Sequence, residues 1–277
     1  MRSRSGFDEV RIARFRKEGR GLGHGDKYKP WLTIRDVPSQ GRSHRLLGVV
    51  TGRIHHLLSD IELGAFLIYD FRDDMQDIRE QFPLDVEVTR RISQEIGIRH
   101  PVDVRSRTEL VQTTDFLLDL QRGDRIVTLA RTVKPSEALN DPRTVEKLEI
   151  ERRYWTSRGV DWGIVTERDL PPILLSNLKF LQGCASLEDL EQSYPGLYQE
   201  RATLVDGALA QHPDLNLQEF SRRIDNLLSM KPGEALLLVK HLLAIKVWRT
   251  DMEQPITETT VMSAFWREPA SAARRVQ

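Results

Sequence analysis

Two runs of strand length, Val111–Leu120 and Arg125–Lys134, joined by only Gln121-Arg122-Gly123-Asp124, constrain this chain more than any other feature. Both are rich in β-branched and apolar residues. A four-residue link containing glycine is too short for a crossover, so the runs read as neighbouring antiparallel strands of a hairpin. If Leu120 pairs with Arg125, Asp115 lies opposite Ala130 and shares a face with Thr132 and Lys134. A register shift of two residues keeps that face, and a shift of one destroys it. A carboxylate and a lysine on one face of otherwise buried strands need a cause. From the hairpin alone, a structural ion pair near a sheet edge is the plainer reading, and a functional pair is the alternative.

The chain around this hairpin has 277 residues, enough for two ordinary domains, and its 39% hydrophobic and 30% charged content indicates a soluble globular protein. The formal net charge of zero excludes a global field that would draw the whole molecule to nucleic acid. Residues 1–60 nevertheless carry an excess of seven positive charges, which suits either an anionic partner or a solvated basic surface. Cys184 is the one cysteine, which excludes an intramolecular disulfide and a cysteine-based zinc site and fits a reducing cytosol. No run of about 18 apolar residues is present to span a membrane. The opening Met1-Arg2-Ser3-Arg4-Ser5 lacks the apolar core of a signal peptide.

Taken in order, Phe7 to Glu18 reads as a charged helix ended by Gly19-Arg20-Gly21-Leu22-Gly23-His24-Gly25. That glycine-rich run follows a helix rather than a strand, so it is a flexible basic loop and not a nucleotide fingerprint. Tyr28 to Val37 is extended. Pro38 to Arg45 is a basic turn whose Arg42, Ser43, His44 and Arg45 suit a phosphate, with Arg53 close behind, although an ordinary exposed turn fits as well. The spacing of Leu57, Leu58, Ile61, Ala65 and Ile68 predicts a helix over His55–Tyr69, with Glu62 bordering its apolar stripe. His55 and His56 are adjacent and diverge, so they form no chelating pair. A strand over Met75–Leu84 and a small helix around Thr89–Ile96 precede the hairpin. Asp141-Pro142 then caps a helix to about Ser157, and Val160–Thr166 is a further strand. The expected fold is α/β, a mixed sheet flanked by helices, over about residues 1–167. From 168 to 277 the pattern is mainly helical. Asn216-Leu217-Gln218-Glu219 is a capping box, Ala235–Val247 a buried helix, and Val247–Arg249 with Thr257–Met262 a terminal hairpin around Gln254-Pro255, giving a winged-helix-like module. The Ala/Arg-rich tail from Glu268 to Gln277 reads as disordered.

Glu62 on an early helix, Asp115 in one strand and Lys134 at the end of the next have the order of the PD-(D/E)XK nucleases. Phosphodiester hydrolysis needs hard oxygen ligands for magnesium, an in-line water and a cation facing the charge that develops on phosphorus. The flanking runs are more specific. Lys17-Glu18-Gly19-Arg20-Gly21, Lys29-Pro30-Trp31-Leu32-Thr33, Gly41-Arg42-Ser43-His44-Arg45, His55 to Glu62, Arg79-Glu80-Gln81-Phe82-Pro83-Leu84, Thr114 to Leu117, Val133-Lys134-Pro135 and Glu146 to Trp155 occur in that order. Over about residues 8–166 the chain resembles the TnsA family, the endonuclease subunit of heteromeric cut-and-paste transposases.

The resemblance implies a restriction-endonuclease-like N-terminal domain that cuts the 5′, non-transferred strands at transposon ends. It implies Glu62, Asp115 and Lys134 as catalytic residues, with Mg2+ (Mn2+ substituting), one or two ions, held by Glu62 and Asp115. The third metal-site residue, two before the lysine, is commonly Gln in the family and is Thr132 here. Its hydroxyl would bind through a water or leave the Val133 backbone carbonyl as ligand, so altered metal dependence is expected. The implied partners are transposon-end DNA, a DDE-type transposase subunit (TnsB) that cuts and joins the 3′ ends, and an AAA+ ATPase regulator (TnsC) docked by the C-terminal domain. A restriction or repair nuclease with the same site, or a non-catalytic transpososome scaffold, are the other readings.

Overall fold

A computed structural model describes residues 7–36, 42–188 and 190–267. The N-terminal part of the basic turn up to Gly41 and the tail from Glu268 lie outside these residues. The described chain up to Leu170 forms one compact unit, and that from Pro171 a second.

The first unit is built on a four-stranded sheet in the order β3-β4-β5-β6, comprising Met75–Pro83, Thr113–Arg122, Arg125–Val133 and Asp161–Val165. β3, β4 and β5 are antiparallel, and β6 joins β5 in parallel. The parallel pair requires a crossover, supplied by helix α4, Pro142–Thr156. Asp141 caps it by accepting the N–H of Thr144 at 2.9 Å, with Pro142 in the first turn as the sequence predicts. The sheet is mixed and flanked by helices, as expected from the element order.

One face carries Phe116, whose ring meets Tyr69 of helix α2 (Asp60–Asp70) edge to face at 5.5 Å. On the other, Leu117 and Ala130 pack with Ile150, Tyr154 and Trp155 of α4 and with Ile92 of helix α3 (Val86–Glu95). Helix α1, Glu9–Lys17, buries Ile12 and Phe15 against Trp31. The glycine-rich loop after it is packed in place. A Cβ on Gly21 would lie 2.2 Å from the Pro83 ring, so this position needs glycine for space as well as for its φ of +80°.

Three sequence expectations in this unit are corrected. The hairpin closes by two residues, with Arg122 opposite Arg125, so Asp115 stands level with Thr132 rather than Ala130. Gly123, at φ +58°, supplies the left-handed position that a two-residue hairpin turn requires. The shift is by two, and Asp115 keeps Lys134 beside it, whereas Thr132 does not share their face. Second, His55–Tyr69 is not one helix. His44–Leu47 (β1) and Ile54–Leu57 (β2) form a small antiparallel pair, and the helix begins only at Asp60. Ser59 interrupts the apparent period because its hydroxyl accepts the Glu62 N–H at 3.1 Å and caps the helix. Third, the extended run expected from Tyr28 ends in a turn that Thr33 and Asp36 close.

The second unit contains α5 (Pro172–Leu181), α6 (Leu197–Ala208), α7 (Leu217–Leu227) and α8 (Glu234–Ala244), then the short strands β7 (Trp248–Thr250) and β8 (Phe265–Arg267). The expected capping box at Asn216 and Glu219 is formed. The terminal hairpin has a different second strand. β7 pairs with Phe265–Arg267 and not with Thr257–Met262. Asn177 of α5 holds the intervening chain by donating to Met252 O and Gln254 O and accepting the Ile256 N–H. Val261 bridges to Asn216 at the start of α7, which removes that segment from the hairpin. Among the described residues no helix is long and apolar enough to cross a membrane.

Candidate active site

Asp115, Val133 and Lys134 meet where β4 and β5 part. The ladder between these strands ends at Phe116–Arg131. One residue further the Asp115 carboxylate fills the opening. Its Oδ2 accepts the Val133 N–H at 2.7 Å and the Lys134 Nζ–H at 3.0 Å, and its Oδ1 accepts the Gln81 amide at 3.2 Å. Lys134 also donates to the Val133 carbonyl at 2.8 Å. Burial works against charge on Lys134, but the Asp115 carboxylate overrides it and keeps the amine protonated beyond the ordinary lysine range.

Glu62 approaches from α2. The Leu58 N–H at 2.9 Å and the Ser59 hydroxyl at 3.2 Å hold its two oxygens. The residue is buried rather than at the stripe's border, and its carboxyl is pushed up to about 8, first by burial and then by the charge of Asp115. Two buried carboxylates that repel one another, with the Val133 carbonyl next to Lys134, form a hard-oxygen donor set that suits a divalent cation.

Thr132 is fully buried and turned the other way. Its hydroxyl donates to Glu151 Oε1, which also accepts from the Thr114 hydroxyl at 2.6 Å. Glu151 is a residue the sequence reading missed. Its carboxyl is pushed up to about 7, by burial first and by Asp115 second. A signal existed, because Glu151 stands on the stripe Leu148–Glu151–Trp155 that α4 buries, where a charged side chain needs a partner.

The basic residues divide. Arg42, Ser43 and Arg45 are exposed, and His44 Nε2 lies 2.7 Å from Asp60 Oδ1, at the start of the helix that carries Glu62. Arg53 is not on this surface, contrary to its reading as a DNA contact. It is buried, donating to both oxygens of Glu80, to Ile78 O and to Gly25 O.

His24, Asp77 and Asp119 form a separate group of metal-ligating side chains. Arg79 already serves its carboxylates, at 2.6 Å from Asp119 and 3.4 Å from Asp77, so a cation there would face a fixed positive charge. The donor set at Glu62 and Asp115 is the better fit.

Glu62 and Glu151 hold protons above the ordinary carboxylate range of 4.5. A raised folded-state value favours the folded protein fully below that range, and the contribution is lost as pH rises through about 7 and about 8. A cation beside ionised carboxylates has the opposite dependence. Millimolar magnesium should therefore raise Tm more at about pH 8.5 than at about pH 6, with Glu62→Gln removing most of the difference. Equal gains at both pH values in the parent protein would count against Glu62 as a ligand.

This site lies in a chain whose residues 72–167 match the family described as TnsA-like endonuclease N terminal, and whose residues 169–252 match TnsA endonuclease C terminal. The chain is also 41% identical over 243 residues to the Transposon Tn7 transposition protein TnsA of Escherichia coli, covering 88% of this chain and 86% of that protein. A mixed α/β endonuclease domain is thus followed by the helical domain that accompanies it. The chain belongs to the TnsA family of transposition endonucleases.

Proposed function

We propose that this protein is the endonuclease subunit of a heteromeric transposase and cuts the 5′, non-transferred strand at each transposon end by metal-dependent hydrolysis. The observation that carries the reading is the Asp115 carboxylate held by the Val133 N–H and Lys134 at the parting of two strands, with the buried Glu62 carboxylate close enough to feel its charge. Glu62, Asp115 and the Val133 carbonyl would hold Mg2+, which when bound would supply Lewis-acid stabilisation of the phosphoryl oxygens. Asp115, fixed at both oxygens, orients that donor set. Lys134, kept protonated, offers N–H groups to the attacking water and to the charge developing on phosphorus. As the water oxygen adds in line, the P–O bond opposite breaks, the leaving oxygen takes up a proton and the water gives one up. Thr132 acts through Glu151 and not as a ligand, so the third position of the motif is filled indirectly.

The exposed Arg42, Ser43 and Arg45, with His44 held against Asp60, would contact the DNA phosphates. The second unit, which exposes Leu204, Leu227, Val261 and Trp266, would dock the AAA+ regulator TnsC, and the DDE-type subunit TnsB would supply end recognition and 3′ cleavage. With zero net charge, autonomous DNA binding is weak. The test is end-labelled transposon DNA with magnesium, incubated with this chain alone or with its partner transposase and ATPase. Cleavage of the 5′ strands should require the partners. Robust site-specific cutting by the chain alone would refute the assignment of specificity to them.

A further inference from the structure

Four described residues other than glycine have φ in the left-handed region: Gln81, Arg107, Ser229 and Lys246. Ser229 and Lys246 follow helix ends and Arg107 lies in a loop. Gln81 alone is inside a strand, at φ +51° in β3, and is buried. Such a conformation costs about 1–3 kcal/mol and persists only where its surroundings enforce it.

Its effect on the sheet is visible on both sides. Along a regular strand, residues two apart share a face. In β3, however, Glu80 points to Arg53 and His55, whereas Phe82 meets Trp155 of α4. In β4, Phe116 meets Tyr69 of α2, whereas Thr114 bonds Glu151 and Trp155 of α4. Each strand changes face at one residue, and these two residues, Gln81 and Asp115, are level with one another in the register. The Gln81 carbonyl is turned to accept the Trp31 N–H at 3.1 Å. Its side chain is fixed at both ends, the oxygen accepting the Thr113 hydroxyl at 3.0 Å and the nitrogen donating to Asp115 Oδ1 at 3.2 Å.

We infer that Gln81 is a positioning residue for cleavage: its left-handed backbone turns the Asp115 carboxylate into the gap between β4 and β5, and its amide sets the rotation of that carboxylate. Val133 and Lys134 fix one oxygen, and Gln81 fixes the other. Without the amide the carboxylate turns about its Cβ–Cγ bond and its donor set is no longer held. This inference rests on the proposed role of Asp115 as a metal ligand.

Gln81→Gly is the discriminating variant, since glycine accepts φ +51° without strain and lacks only the amide. In the full chain, Mn2+ binding followed by electron paramagnetic resonance without DNA should weaken about tenfold or more. Turnover of 5′-strand cleavage with partners should fall by a similar factor, while KM for end DNA stays near the parent value. Raised Mn2+ should restore part of the rate. Thr113→Val, which leaves the backbone of Gln81 untouched and frees its amide, should move both readouts in the same direction by a smaller factor, and it decides the matter if the glycine variant does not fold. Asp115→Ala is the control. Parent-like Mn2+ affinity and turnover in Gln81→Gly or in Thr113→Val, with Asp115→Ala inactive, would overturn this inference alone. Parent-like behaviour of Asp115→Ala itself would overturn the reading of the site.

Discussion

Asp115→Ala should eliminate 5′-strand release from transposon ends, lowering the rate by on the order of a thousandfold or more, while the protein stays folded and still assembles with its partners. Each ~1.4 kcal/mol of lost transition-state stabilisation is a factor of ten, and loss of a central ligand removes several kcal/mol of charge stabilisation. The carboxylate is the common partner of Val133 N–H, Lys134 and Gln81, so its removal also frees the lysine and the glutamine. Asp115→Asn, which keeps the size and loses the charge, should be nearly as inactive. The products distinguish this from a general failure of assembly. If the partner subunit continues to cut and join the 3′ ends, each end acquires a new bond to target DNA while the uncut 5′ strand still joins it to the donor. The accumulating species is then branched, and only replication through it resolves the element. Gel analysis of both strands reads this directly. Release of both 5′ ends by Asp115→Ala would remove the residue from the chemistry.

The legible part of this molecule was the part written in local pattern. The hairpin of β4 and β5 follows from two β-branched runs and a glycine between them, and its error of two residues still left Lys134 beside Asp115. The cap at Asp141-Pro142 and the capping box at Asn216 are local hydrogen-bonding devices and were read in place. What sequence could not display was side chains that act on distant elements. Thr132 looks like a weakened ligand along the strand, yet its hydroxyl is taken up by Glu151, 19 residues on and reached only once α4 folds back on the sheet. Gln81 has no composition signal for a left-handed strand residue, since that conformation arises from Trp31, Thr113 and Asp115 together. The C-terminal hairpin was misplaced because Asn177, some eighty residues before it, pins the chain that looked like the turn. The helix over His55–Tyr69 was a coincidence of spacing across a strand, a capping serine and a helix.

Arg53 shows how composition alone misdirects, and its partner Glu80 carries the largest expected effect on stability. Glu80 is fully buried, yet hydrogen bonds and charge from Arg53 and His55 outweigh that burial and hold its carboxyl down to about 2. It ties β2 to β3 through Arg53, through His55 Nδ1 at 2.8 Å and through the His56 N–H at 3.1 Å, while Arg53 reaches Gly25 O in the loop before them. Glu80→Ala leaves a guanidinium buried without its counter-charge. The expected loss is about 3–5 kcal/mol in urea denaturation, as for other broken buried pairs. Because the folded-state value is depressed, the contribution of Glu80 is complete above the ordinary 4.5 and is lost as pH falls through about 2. The parent should thus lose stability on acidification in that window more steeply than Glu80→Ala. The double replacement Arg53→Met with Glu80→Leu should recover most of the loss, since a packed apolar pair avoids both desolvation costs. DNA binding separates this role from a phosphate contact. Arg53→Met with Glu80→Leu should leave the salt dependence of end-DNA affinity unchanged, whereas removal of a true phosphate contact lowers that slope by nearly one. A reduced slope with unaltered stability would return Arg53 to the DNA-binding surface.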